Sequence, residues 1–251
     1  MSRIVLACAL ALGGCLIVDA PSNHMTGDGG LAPIDPNAAC GYVAEVICTG
    51  YTTCCHASGM GTMAQCMTAA QASCDATTGP LFRDPTLGYS PAIAAEVINE
   101  GRMLAMTCSP DVTRWYHSRT GIQRALTGSV APGGRCMDDT VAGSLSCTDV
   151  QDACIGDSGS GFACVTRHDT GGPCRGDNDC IEADYCQGAT AGSNPVAPSL
   201  FPGTCQPRLA AGASCTVDGA CESYICDTST THVCIDVATP MGLQYAYCNM
   251  R

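Results

Sequence analysis

Cysteine constrains this chain more than any other residue. Twenty-two of 251 residues are Cys, a density typical of disulfide scaffolds and rarely found in a reducing compartment. Aromatic residues are only 5% of the chain, with 3 Phe and 1 Trp. Leu, Ile and Val are also sparse, so one large apolar core is hard to assemble. Each bridge that restricts the unfolded chain adds about 2–4 kcal/mol, which lets cross-links stand in for missing core. The sequence therefore predicts a small disulfide-rich fold. It comprises an N-terminal α-helical, disulfide-stapled domain followed by irregular and short-β cysteine-rich repeats.

The charge balance narrows the partners. The net charge is −12, and all 11 basic residues are arginine. An acidic chain argues against nucleic acid and anionic membrane surfaces as partners.

The first residues, MSRIVLACALALGGC, place Arg3 before an apolar run from Ile4 to Leu12. The run is too short to span a bilayer permanently but suits a signal-peptide core. The ending Leu12-Gly13-Gly14-Cys15 resembles the bacterial lipobox. That resemblance implies removal of residues 1–14 and acylation of Cys15, which anchors the chain in a lipid bilayer. Leu16 is not an acidic retention signal, so the expected address is the outer membrane of a bacterial envelope, facing the periplasm or the surface. Residues 15–39, rich in Pro, Gly, Asp and Asn, are expected to form a lipidated flexible tether.

Residues 40–108 are expected to form the helical domain. Cys40 and Cys48 have the same spacing as Cys66 and Cys74, and His56–Gly61 between them reads as a Gly-rich turn. Facing positions of an antiparallel helix hairpin keep a constant sum of residue numbers. Both Cys40–Cys74 and Cys48–Cys66 satisfy this, so nested bridges are expected among the three pairings that four cysteines allow. Ser90 reads as an N-cap and Pro91 as the first residue of a further helix. Ile93, Val97, Leu104 and Cys108 recur along it near the helical period, while Gly101 weakens it. Cys54 and Cys55 are expected to pair with Cys108 and Cys248, in either order.

Residues 109–132 are read as a connector, solvated and half packed. Its middle carries Arg114, His117, Arg119 and Arg124 around Trp115 and Tyr116.

From residue 133 a pattern repeats. Gly133, Gly171 and Gly212 each stand three residues before the first of four cysteines. The units are 133–170, 171–211 and 212–234, followed by a C-terminal segment to 251. Each is too polar to bury a core, so two bridges per unit are expected. First-to-third and second-to-fourth connectivity gives Cys136–Cys154 and Cys147–Cys164. The second unit would hold Cys174–Cys186 and Cys180–Cys205, and the third Cys215–Cys226 and Cys221–Cys234. Asn194–Pro202 reads as an insertion.

The run GGPCRGDNDCIEADYC, followed by GTCQPRLAAGASC and ACESYIC, resembles the cysteine-rich repeats of myxobacterial surface lipoproteins, often grouped with Dickkopf-type modules. The Cys54-Cys55 pair, the Cys66/Cys74 segment, Gly88-Tyr89 and LTGSVAPGGRC extend the resemblance over most of the chain. Such lipoproteins mostly lack an assigned activity, and Dickkopf signalling does not transfer on spacing alone.

Catalytic and metal-binding patterns are weak. Gly156-Asp157-Ser158-Gly159 matches the surround of a trypsin-like nucleophile. That chemistry also needs a general-base His, an orienting carboxylate and an oxyanion hole, on two strand-rich barrels. His56 stands in the wrong context and the apolar strands are missing, so the match reads as chance. No two cysteines have zinc-knuckle spacing, and His24, His56, His117, His168 and His232 are scattered. Asp177 and Asp179 lack a full calcium loop, and Arg175-Gly176-Asp177 reads as a polar turn. No catalytic residue, cofactor or metal site is expected.

The expected role is therefore that of a non-enzymatic surface lipoprotein with a helical head and a repeat stalk, making structural or adhesive contacts with protein or glycan. A disulfide-rich inhibitor or ligand-binding module is the alternative, since rigid loops bind with little ordering cost. An extracytoplasmic enzyme would need a cleft joining His117 or His168 to a carboxylate and Ser158.

Overall fold

The computed structural model describes residues 31–55, 61–137, 141–157, 159–188 and 203–249. Cys15, the leader, His56, Ser158 and the Asn194–Pro202 insertion lie outside them. The fold is disulfide-rich, with helices first and small antiparallel sheets after them. All twenty described cysteines are bridged, in ten pairs.

Helix α1 (Ala39–Cys54) and α2 (Met63–Thr77) form the stapled hairpin. Bridges Cys40–Cys74 and Cys48–Cys66 hold them antiparallel. A capping box starts α2: Gln65 N–H donates to the Thr62 hydroxyl, and Thr62 N–H donates to the Gln65 side chain at 2.8 Å, satisfying two otherwise orphaned donors. After α3 (Gly79–Arg83), helix α4 (Pro91–Met106) begins at Ser90, whose hydroxyl accepts from Ile93 N–H. Bridge Cys54–Cys108 ties the end of α1 to the end of α4.

The structure moves two segments that the sequence assigns elsewhere into the helical body. Leu31 and Ile34, expected in the tether, are buried in its core. Residues 109–132 are not a solvated connector: α5 (Val112–His117) and the 3-10 turn Ile122–Ala125 bury Val112, Trp115, Ile122 and Ala125. The C-terminal helix α7 (Pro240–Asn249) returns to the same core, where Tyr247 is fully buried and Cys248 bridges Cys55. Two glycines explain how the aromatics fit. A Cβ at Gly101 would lie 2.5 Å from the Trp115 ring, and one at Gly50 would lie 2.4 Å from Tyr247. Gly101 weakens its helix in isolation, but it opens the notch in which Trp115 donates to Val97 C=O at 2.8 Å.

The repeats share one construction. Unit one holds β1 (Arg135–Cys136), α6 (Val141–Leu145), β2 (Asp152–Asp157) and β3 (Gly161–Thr166), in sheet order β1-β3-β2. Unit two holds β4 (Pro173–Cys174), β5 (Asp184–Gln187) and β6 (Gly203–Pro207), in order β4-β6-β5. Unit three has the 3-10 turn Asp218–Ala220 and, in place of a sheet, isolated pairs such as Ser214–Val233 and Cys226–Cys234. In every unit the opening glycine donates its N–H to the carbonyl of the fourth cysteine: Gly133 to Cys164, Gly171 to Cys205, Gly212 to Cys234. All three have positive φ, of 77°, 88° and 81°, a region glycine enters without a Cβ clash. The pairs Cys136–Cys154 and Cys147–Cys164, Cys174–Cys186 and Cys180–Cys205, Cys215–Cys226 and Cys221–Cys234 fill the three interiors. Their buried clusters consist of cysteines with one or two half-buried apolar neighbours.

The repeats do not extend as a stalk. Leu145 of unit one is buried in the helical core, and Tyr224 of unit three stacks on His117 of α5. Among the described residues no helix is long and apolar enough to cross a membrane.

Candidate functional site

The end of α5 is where all three repeats meet the helical body. Arg119 donates to the carbonyls of Ser144 at 3.1 Å and Cys147 at 3.4 Å, gripping unit one. Thr120 donates to Glu182 of unit two at 2.9 Å. His117 lies parallel to Tyr224 of unit three, ring centres 6.1 Å apart, and nearly perpendicular to Tyr116. A short stretch of the supposed connector is thus a hub.

Two clefts flank His117. One, of about 360 Å³, opens between α1, α2, α5, α7 and unit three, past Ile47, Tyr116 and Tyr245. The other, of about 410 Å³, lies against units two and three and is lined by Arg119, Arg167, Arg208, Asp177, Glu182 and Asp218, among others. Repeat symmetry places two of those arginines. Arg167 and Arg208 each stand four residues before the opening glycine of a unit. Their backbones are held alike, Arg167 N–H by Gln151 C=O and Arg208 N–H by Ala183 C=O. The residues after them, His168 and Leu209, bridge to the second cysteine of the following unit, Cys180 and Cys221. Serial repetition therefore brings two guanidiniums to one cleft.

Arg208 lies over the Tyr224 ring, 4.3 Å from its centre, and its Nε donates to Glu182 C=O at 3.0 Å. Tyr224 itself has φ +55°, an uncommon conformation for an aromatic residue, of the kind that gathers at binding sites. Burial lowers the Arg119 pKa to about 10, and Arg167 beside it pushes the same way. Burial also lowers Arg167, with Glu182 as the strongest opposing influence. His117 is held below its ordinary value by burial; Asp218 pulls it up and Arg208 pushes it down. Burial raises the Tyr224 hydroxyl, and Arg208 offsets part of that.

Other residues singled out from the sequence serve the fold. Asp177 of the Arg-Gly-Asp turn accepts from Cys186 N–H at 2.9 Å, and Asp218 accepts from Cys226 N–H at 2.7 Å, the same contact one unit later. Asp179 is buried and accepts from Arg175 N–H at 2.7 Å. The sulfurs that cluster in each repeat, such as those of Cys174, Cys180 and Cys205, are all in bridges and offer no thiolate to a metal. His117 and Asp218 line the same two clefts, and the His117 ring lies parallel to that of Tyr224.

Comparison with protein-family models, with curated proteins and with solved structures finds no match to this chain.

Proposed function

We propose that this chain is a non-enzymatic lipoprotein of the bacterial envelope. Acylation of Cys15 would hold it in the outer membrane, and its folded part would make structural or adhesive contacts with protein or glycan. The observation that carries the reading is the complete bridging of the described cysteines, which suits an oxidising compartment outside the cytoplasm. The lipobox-like Leu12–Cys15 supplies the route out. The resemblance of the repeats to those of myxobacterial surface lipoproteins agrees with it. The bridges restrict the repeat loops, which lowers the ordering cost of contact.

Peptide mass mapping of mature protein under non-reducing conditions tests this. The expected N-terminal peptide begins at acylated Cys15, and Cys15→Ser is expected to move the protein from the membrane to the soluble fraction. A leader still attached, with Cys15 unmodified, overturns the proposal. Turnover by purified protein that survives removal of trace contaminants would overturn its non-enzymatic part.

A further inference from the structure

We infer that the cleft between α5 and the second and third repeats is a binding site for a small oxyanion: the carboxylate, sulfate or phosphate group of a low-molecular-weight ligand. Arg167 is only 8% exposed, yet its Nε and Nη2 have no hydrogen-bond partner among the described residues, and neither has Nη1 of Arg208. The four ion pairs among the described residues involve Arg83, Arg102, Arg114 and Arg124. Arg119, Arg167 and Arg208 therefore share one cleft with no carboxylate within ion-pair distance among the described residues. Buried guanidinium donors left unpaired are costly. The fork of donors on arginine matches a planar or tetrahedral oxyanion.

The carboxylates facing the cleft do not fill that role. Asp177 and Asp218 each commit an oxygen to a cysteine amide, and Glu182 accepts from Thr120. With Asp179 acting on Arg167 and Asp149 on Arg119 as well, the surroundings hold no excess of positive charge, which suits one small anion rather than a polyanion, as does the chain's charge of −12. The volume of about 410 Å³ exceeds the ~30 Å³ that one water occupies in the liquid. It leaves room for a sugar-sized group behind the charge. The site is independent of the membrane anchor.

The test is titration of mature, fully bridged protein with sodium sulfate, sodium phosphate and sodium glucuronate. Each is followed by calorimetry and by the arginine Nε–H NMR signals, at ionic strength held constant with chloride. Saturable binding of at least one probe is expected, with movement of the Arg167 and Arg208 signals. The strongest probe identifies whether the oxyanion is sulfate, phosphate or a sugar carboxylate. Arg167→Met is expected to weaken binding about tenfold or more, in line with loss of charge-assisted hydrogen bonds, while Arg83→Met leaves it unchanged. If Arg167→Met does not fold, the NMR titration of the unaltered protein decides alone. Three probes with no saturable binding, stationary Arg167 and Arg208 signals, or equal weakening by the two substitutions would each overturn the inference.

Discussion

Bridges do different work in the two halves of this molecule. In the helical body, Val43, Val46, Phe82, Val97, Ile98 and Trp115 form an apolar interior, and the bridges fasten helices that already have faces to bury. In the repeats the sulfurs are the interior: unit one buries Cys136, Cys147, Cys154 and Cys164 with only Val130 and Phe162 against them. One half has apolar burial with staples added to it; the other has staples with little else to bury. The two halves should therefore respond unequally to the same insult.

The largest separation is expected on complete reduction. Units one to three should lose their amide protection, while α1, α4 and α5 retain part of theirs, read by hydrogen-exchange mass spectrometry with and without a thiol reductant. Uniform loss across both halves would erase the distinction. Phe82→Ala comes next, with an expected cost of about 3–5 kcal/mol because a fully buried ring leaves a cavity; urea unfolding with all bridges intact measures it. Replacing Cys147 and Cys164 together by Ser should cost about 2–5 kcal/mol, with the opening confined to unit one. Limited proteolysis should then cut between residues 133 and 168 and spare the third repeat. Gly171→Ala is smaller, about 1 kcal/mol, since its φ of +88° is unfavourable for a side chain even though a Cβ there would meet nothing within 4 Å.

The smallest effect is one of pH at the junction of the halves. Burial holds His117 below its ordinary value of 6.5, so the unfolded chain takes up that proton first. Stability should then fall as the pH drops below about 6.5 and be indifferent to His117 above it. His117→Asn should flatten that slope between pH 7.5 and 5. Asp227 acts lower. Hydrogen bonds from Thr230, Thr231 and Ser229 hold its carboxyl below the ordinary 3.8, so the stability it lends is lost only as the pH falls below that value. An unaltered slope in His117→Asn would show that the His117–Tyr224 contact does not couple the halves.

Features encoded by local spacing were legible in the sequence. The matched intervals of Cys40, Cys48, Cys66 and Cys74 describe a hairpin, Ser90-Pro91 marks a helix start, and the recurring glycine three residues before a cysteine marks each repeat. The return of the C-terminal segment was legible in the expected pairing of Cys248 with Cys54 or Cys55; that it comes back as a helix with Tyr247 in the core was not, because ten residues carry little sign of where a buried tyrosine docks. The same holds for 109–132. Its mixture of Trp, Tyr and Arg reads as surface until Gly101 is seen as a notch rather than a flaw. Of the oxyanion cleft, His117 and Arg119 stood out as part of a basic run. Arg167 and Arg208 did not, although their identical distance from the opening glycines was the available signal. Two side chains 41 positions apart, Arg167 and Arg208, come to line one cleft only when the repeats fold onto one another.

The clasp between Cys55 and Cys248 spans 193 residues. A polypeptide that emerges N-terminus first exposes the earlier thiol long before its mate exists. Cys54 beside it finds Cys108 much sooner. Cys55 can therefore reach its native mate only after all three repeats between them have been made, so this one clasp locks the helical body to the segment that follows the last repeat.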